Sequence, residues 1–158
     1  MTAPSLPSED NAYLADHVAI LRDSYRHWIR RPLLDPRMTH EEAARYLFFA
    51  PFVVVSHNTA KDPLFNYGNR TALSLFAMSW EEFTATPSRL SAERVNQEAR
   101  EELLAKVAEH GFIDNYEGVR IGRHGRRFSI EGATIWNLRD SRGVACGQAA
   151  CFKRWKLL

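Results

Sequence analysis

Cysteine is scarce in this sequence, with two residues in 158, and their placement excludes a disulfide framework. Cys146 and Cys151 lie five apart in a stretch that reads as one strand, so alternation puts them on opposite faces, where they can neither pair nor share a metal. Both are expected to be reduced structural thiols. Charge of one sign is also lacking. The 21 Lys and Arg against 19 Asp and Glu leave a net charge of +2. The basic residues are scattered, apart from Arg30-Arg31 and Arg123-His124-Gly125-Arg126-Arg127, so nothing calls for a nucleic-acid partner. Long hydrophobic runs are missing. The longest, Tyr46 to Val55, is about half a membrane span and is broken by Pro51. Met1 to Asp10 carries no basic stretch followed by an apolar one, so a secretory signal is not expected and the chain reads as cytoplasmic, away from membranes. Catalytic signatures are absent as well: no Gly-rich phosphate loop, no His-Glu-x-x-His, no Gly-x-Ser-x-Gly. His40-Glu41-Glu42 is explained by acidic charge at a helix N-terminus. We assign no catalytic residue and no metal ligand, expect no enzymatic activity, and leave any cofactor undefined.

What the sequence does contain is one domain's worth of ordinary core: 45% hydrophobic and 25% charged residues are close to soluble globular averages. Leu14, Val18, Leu21, Tyr25 and Trp28 recur at spacings of four and three, predicting a helix from Tyr13 to Arg30 that ends before Pro32. Thr39 and Glu42 form a capping box for a second helix whose buried side holds Ala43, Leu47 and Phe48. Residues 1–38 then read as a tail and helical extension, and 39–158 as the compact domain. That domain opens with a β-branched strand, Phe52 to His57, and a short strand, Leu64 to Tyr67. Asn69 caps a helix from Arg70 to Phe76, and Trp80 to Phe83 make one more turn. Ser91 is the expected cap of a long helix reaching His110, with Val95, Ala99, Leu103 and Val107 on its buried side and Gly111 as its stop. The last third alternates: Phe112 to Ile121, Arg126 to Leu138 and Val144 to Lys153 read as three strands joined by Gly122–Gly125 and Asp140–Gly143. The layout is α+β, with a five-stranded antiparallel sheet and helices on one face.

This order resembles that of PAS domains, and local sequence adds to it. Phe65-Asn66-Tyr67-Gly68-Asn69-Arg70-Thr71-Ala72-Leu73-Ser74-Leu75-Phe76 followed by Trp80-Glu81-Glu82-Phe83 is similar to the second strand and first helices of a PAS domain. Tyr116-Glu117-Gly118-Val119-Arg120-Ile121, Arg127-Phe128, Ala133 to Asp140 and Gly147-Gln148-Ala149-Ala150 resemble the narrower MEKHLA family. The resemblance spans roughly residues 40 to 153. It implies a PAS-like fold with a sensing or regulatory role, a module that also closes some plant homeodomain-leucine zipper regulators. No homeodomain, zipper or kinase accompanies it in this sequence, so it would act alone or through a partner, and fold by itself fixes no function.

Strict alternation along the central strand places Phe128, Ile130, Gly132, Thr134, Trp136 and Leu138 on the core face and Ala133 and Ile135 on the other. Gly132 would leave room for a small ligand with Trp136 as an aromatic wall; alternatively it accommodates the long helix. The polar groups in the lining segments are Tyr67, Arg89, Tyr116, Arg120 and Gln148. Arg120, between Val119 and Ile121, needs either a structural carboxylate, such as Glu117, Glu131 or Asp140, or an anionic ligand. Thr86-Pro87-Ser88-Arg89-Leu90 matches the segment where flavin-binding light-oxygen-voltage domains carry a Cys-Arg pair. Ser88 stands at the cysteine position, and its hydroxyl cannot form the flavin adduct. For haem, His57 and His110 are the histidines near the expected core, though each is accounted for as a hydrogen-bonded structural residue.

Three functions fit: a small-molecule-responsive sensory module, an interaction module with a filled core, and an enzyme using the PAS-like cavity. The first is the leading expectation, with a signalling protein as possible partner. The apolar stripe of the N-terminal helix is expected either to form a homodimer or to dock on the outer sheet face beside Ala133 and Ile135.

Overall fold

A computed structural model describes residues 4–158. Polar caps set the helix boundaries. A short 3-10 segment, Glu9–Leu14, leads into α1 (Ala15–Ile29). Helix α2 (His40–Phe49) opens with the expected box: Glu42 N–H donates to Thr39 Oγ1 at 3.1 Å, and Thr39 N–H donates to Glu42 Oε1 at 3.0 Å. Asn69 caps α3 (Arg70–Phe76), accepting from Ala72 N–H at 3.1 Å. Ser79 and Glu82 box the start of α4 (Trp80–Thr84). The long helix α5 (Arg94–His110) differs from expectation at its start. Ser91 donates to the Ser88 carbonyl at 2.7 Å within a 3-10 turn, Ser88–Ser91, and Glu93 takes the N-cap position.

The strands are β1 (Val53–His57), β2 (Phe65–Gly68), β3 (Phe112–Ile121), β4 (Arg127–Arg139), β5 (Ala145–Phe152) and β6 (Arg154–Leu157). They form one antiparallel sheet in the order β2-β1-β5-β4-β3, and β6 pairs with β4 beyond the end of β5. The five expected strands are thus joined by a sixth, short one after Lys153. On the inner face Val53, Val55, Phe65, Phe76, Phe83, Phe128, Ile130 and Phe152 form one cluster, with Leu103 and Val107 of α5 packing on Ile135 beside it. The outer face is covered by α1 and α2. There Val18, Leu21, Tyr25, Ala43 and Leu47 meet Val54, Trp136, Leu138 and Cys151.

Strict alternation fails on β4, and Gly132 is the reason. Gly118 of β3 pairs with Ile130 and Tyr116 with Ala133, so β4 advances three residues where β3 advances two. Gly132 absorbs the extra residue with φ +61°, in the left-handed region that costs a side chain more than it costs glycine. Beyond this bulge Ala133 and Ile135 lie on the inner face with Phe128 and Ile130, while Trp136 and Leu138 turn outward under α1. The expectation that Trp136 shares a face with Phe128 is therefore corrected, and α1 docks on Trp136 and Leu138, not on Ala133 and Ile135. A second irregularity, where Leu138 pairs with Gly147 but Arg139 with Ala145, puts Cys146 against the same outer cluster as Cys151. Both thiols are free, and burial pushes Cys151 up to about 12.

The apolar stripe of α1 is used within the chain. Val18 and Leu21 are fully buried and Tyr25 nearly so, which at about 2 kcal/mol per side chain contributes on the order of 6 kcal/mol. Polar contacts fix the docking: Trp136 Nε1–H donates to the Leu21 carbonyl at 3.3 Å, Trp28 Nε1–H to the Asn137 carbonyl at 3.0 Å, and Arg139 N–H to Ser24 Oγ at 2.9 Å.

Candidate ligand cavity

Between α5 and the inner sheet face lies a cavity of about 70 Å³. Phe65, Phe76, Ile130, Ile135, Ala150 and Phe152 make it largely apolar, and besides Ser56 and Ser91 its polar lining is His57 from β1, Arg100 from α5, Arg120 from β3 and Gln148 from β5. Phe65, Phe76 and Ser91 also border a neighbouring pocket of about 300 Å³ that reaches Met78 and Arg123.

Arg100 is buried because of how α5 rolls. Residues four apart on a helix advance about 40° past a full turn, so the expected stripe of Val95, Ala99, Leu103 and Val107 winds off the sheet by about 120° over its length. The face that meets the sheet is Arg100, Leu103, Leu104 and Val107, and Val95 is 85% exposed. Arg100 itself is only 8% exposed, and its guanidinium donates to Ser88 Oγ at 2.9 Å. Ser88 Oγ also meets His57 Nδ1 at 2.7 Å. With Arg100 donating to the serine oxygen, the serine proton is free to point at Nδ1, and this pattern assigns the imidazole proton to Nε2. Burial, reinforced by the Arg100 charge, lowers His57 to about 4, so the ring is neutral at pH 7. Burial and then the like charge of Arg120 lower Arg100 to about 10, which leaves it cationic.

Arg120 is half-buried on β3. Its guanidinium lies over the Tyr116 ring, 5.6 Å from the centroid, and donates to the Tyr116 hydroxyl at 3.3 Å and the Val119 carbonyl at 2.8 Å. Gly118 makes room for this: a side chain there would collide with the Tyr116 hydroxyl. Among the described residues neither Arg100 nor Arg120 forms an ion pair. Glu117, Glu131 and Asp140 do not supply the carboxylate that Arg120 was expected to need, and Asp140 instead caps its hairpin, accepting from Arg142 and Val144 N–H.

Of the seven residues singled out from sequence, Arg120 and Gln148 meet at the cavity, and Tyr116 orients Arg120. The other four lie elsewhere. Trp136 is on the outer face for the reason given. Tyr67, fully buried, faces α1, stacked on His17 at 5.5 Å, and its hydroxyl has no hydrogen-bond partner among the described residues. Arg89 is half-exposed and pairs with Asp62 at 3.0 Å, because the 3-10 turn aims it outward as it aims Ser88 inward. Gly132 forms the bulge, beside Arg154. Arg100 was missed, although an arginine three, four and seven residues before Leu103, Leu104 and Val107 is the legible signal. His57 is at the cavity wall, while His110, exposed at the end of α5, takes no part.

The cavity does not fit a flavin or a haem. A tricyclic or macrocyclic plane would need the space held by Phe65, Phe76, Phe83 and Phe128, whose rings contact one another at 4.2 to 6.0 Å. Ser88 and His57 are also committed to each other.

A sheet in this order, with α3 to α5 on one face and the cavity beneath α5, is the architecture of PAS domains. The MEKHLA domain family model matches residues 15–157, and the chain belongs to that family. No curated protein matches the sequence. Among solved structures, a PAS domain from Colwellia psychrerythraea superposes with a TM-score of 0.61 at 13% identity, over 75% of this chain and 95% of the other. A fungal light-oxygen-voltage photoreceptor that links blue light and oxidative stress gives 0.58 at 16%, over 96% and 99%. The light-state dimer of the fungal photoreceptor Vivid gives 0.54 at 14%, over 82% and 90%. At these identities the likeness is one of fold. No helix among the described residues is long and apolar enough to cross a membrane.

Proposed function

We propose that this chain is a non-catalytic sensory module that binds a small molecule in the inner cavity and reports it through the packing of α1 on the outer face. The observation that carries this reading is how thin the wall between the two is. On β1, His57 borders the cavity while its neighbour Ser56 meets His17 of α1 at 2.9 Å. From β5, Gln148 donates to Asn137 Oδ1 at 3.0 Å, and the Asn137 carbonyl holds Trp28 of α1. A ligand that shifts either cavity residue therefore acts on a contact of α1 only one strand away, and a partner protein or a second copy would read the result. Because the α1 stripe is consumed within the chain, self-association would use other apolar surface, such as Tyr46 and Phe49. Two free thiols suit a reducing, cytoplasmic setting.

The test is native mass spectrometry of the purified chain, followed by hydrogen exchange of α1 with and without ligand. A co-purifying metabolite whose removal speeds exchange in α1 supports the reading. A ligand-free protein that no small molecule stabilises would instead favour an interaction module with a filled core. The Phe65–Phe83 stack at 4.2 Å, which occupies much of the inner face, is the observation on that side.

A further inference from the structure

Building on the ligand-binding reading above, we infer that the cavity is a site for a small monocarboxylate, its anionic group held by Arg100 and Arg120 and its short apolar body lying against Phe65, Phe76, Ile130 and Phe152. The first argument is charge. Removing a guanidinium from water is costly unless an anion or a full set of acceptors receives it, and Arg100 is buried with the Ser88 hydroxyl as its one hydrogen-bond acceptor among the described residues. The groups facing it from the surrounding elements are Ser88, the uncharged His57 ring, Gln148, Tyr116 and Arg120, and the one carboxylate whose charge reaches it, Glu101, is its solvent-exposed neighbour on α5. A second cation beside the first worsens the balance, and one anion between them corrects both.

Donor counting gives the same answer. A guanidinium has five N–H groups. Among the described residues Arg100 uses one and Arg120 two, so several are left there to receive a planar carboxylate, the acceptor that forked geometry suits. The remaining polar groups are committed. Gln148 Nε2 donates to the Leu104 carbonyl and Asn137 Oδ1, and Ser91 donates to the Ser88 carbonyl.

Size and wall chemistry narrow the class. At about 10 to 15 Å³ per water-sized occupant, a cavity of about 70 Å³ holds roughly five to seven non-hydrogen atoms. A phosphate of that size would face apolar side chains with oxygens that find no donor. A carboxylate with three carbons behind it puts its oxygens on the arginines and its carbons on the phenylalanines.

Calorimetric titration of the full chain at pH 7 and fixed ionic strength would use butyrate, its neutral isostere butyramide, and inorganic phosphate. Butyrate should bind saturably, butyramide and phosphate at least tenfold more weakly, and Arg120→Gln should weaken butyrate at least tenfold while circular dichroism stays unchanged. Arg120 is preferred over Arg100 because half-exposure makes its loss tolerable to the fold. Butyramide binding as well as butyrate overturns the carboxylate inference and leaves the cavity reading standing. Tighter phosphate binding overturns the carboxylate class. Butyrate binding that survives Arg120→Gln places it elsewhere and also overturns the inference. If none of the three binds and native mass spectrometry finds no metabolite, the ligand-binding reading falls with it.

Discussion

Replacing Trp136 with Ala separates the two faces of the sheet. The side chain is wholly buried, its ring meets Tyr25 edge-on at 5.0 Å, and its Nε1–H is held by the Leu21 carbonyl at 3.3 Å. Truncating a buried tryptophan costs about 3 to 5 kcal/mol, and with a urea slope of about 2 kcal/mol per molar the midpoint should fall by roughly 2 M. Because the ring packs under α1, amide exchange should accelerate throughout that helix and least in α5. A double-mutant cycle with Tyr25→Leu should return a coupling of about 0.5 to 1.5 kcal/mol for the aromatic pair. Since Trp136 does not line the cavity, ligand affinity of the folded fraction should change only through the coupling to α1, and by less than the loss expected for Arg120→Gln. A stability loss below about 1 kcal/mol, or a variant that stays stable but no longer binds cavity ligands, would refute the placement of Trp136 on the outer face.

Asn69→Ala should cost about 3 to 5 kcal/mol in chemical denaturation, because one buried amide accepts from Val54 and Ala72 N–H and donates to the Leu47 and Phe52 carbonyls, all of which would lose a partner; a near-neutral result would mean water replaces it. Gly132→Val should destabilise by about 2 kcal/mol or more, since a β-branched residue at φ +61° is strained, and a stable variant would argue against the bulge. His17 and His57 both lie at about 4 in the folded chain against 6.5 for the free side chain. Depressed histidines give stability that is whole above pH 6.5 and lost as pH falls toward 4, by about 3 kcal/mol per ring. Urea midpoints measured across that window should drop, and His17→Gln should flatten the fall; a midpoint indifferent to pH between 6.5 and 4.5 would contradict the burial of both rings. Blue light should cause no reversible bleaching of a flavin band in the purified protein, because Ser88 offers a hydroxyl where adduct chemistry needs a thiol.

What the sequence determined by itself was local. The Thr39–Glu42 box, the Asn69 cap, the Gly111 stop and both hairpin turns are written in residues a few positions apart, where side-chain chemistry and backbone conformation decide the outcome without the rest of the chain. The order of elements, and with it the fold class, followed from those signals. The stripe on α1 was legible as a surface that must be covered, but its cover was not. Which face each strand residue takes depends on a running count of alternation, and one glycine at positive φ reverses that count for everything after it. Gly132 could be seen in the sequence as a glycine in a strand, yet whether it bulges depends on its pairing with β3, a contact between distant segments. That single reversal moved Trp136 from the expected cavity to the α1 interface and Ile135 the other way. The cavity's charge was hidden for a similar reason. Arg100 reads as one more surface residue on a charged helix until the roll of α5 against the sheet is known, and that roll is set by how Leu103 and Val107 seat on Ile135, not by any propensity of α5 itself. Only the tertiary structure could bring Arg100, Arg120, His57 and Gln148 from four elements to one space, because their meeting depends on long-range packing and not on local sequence.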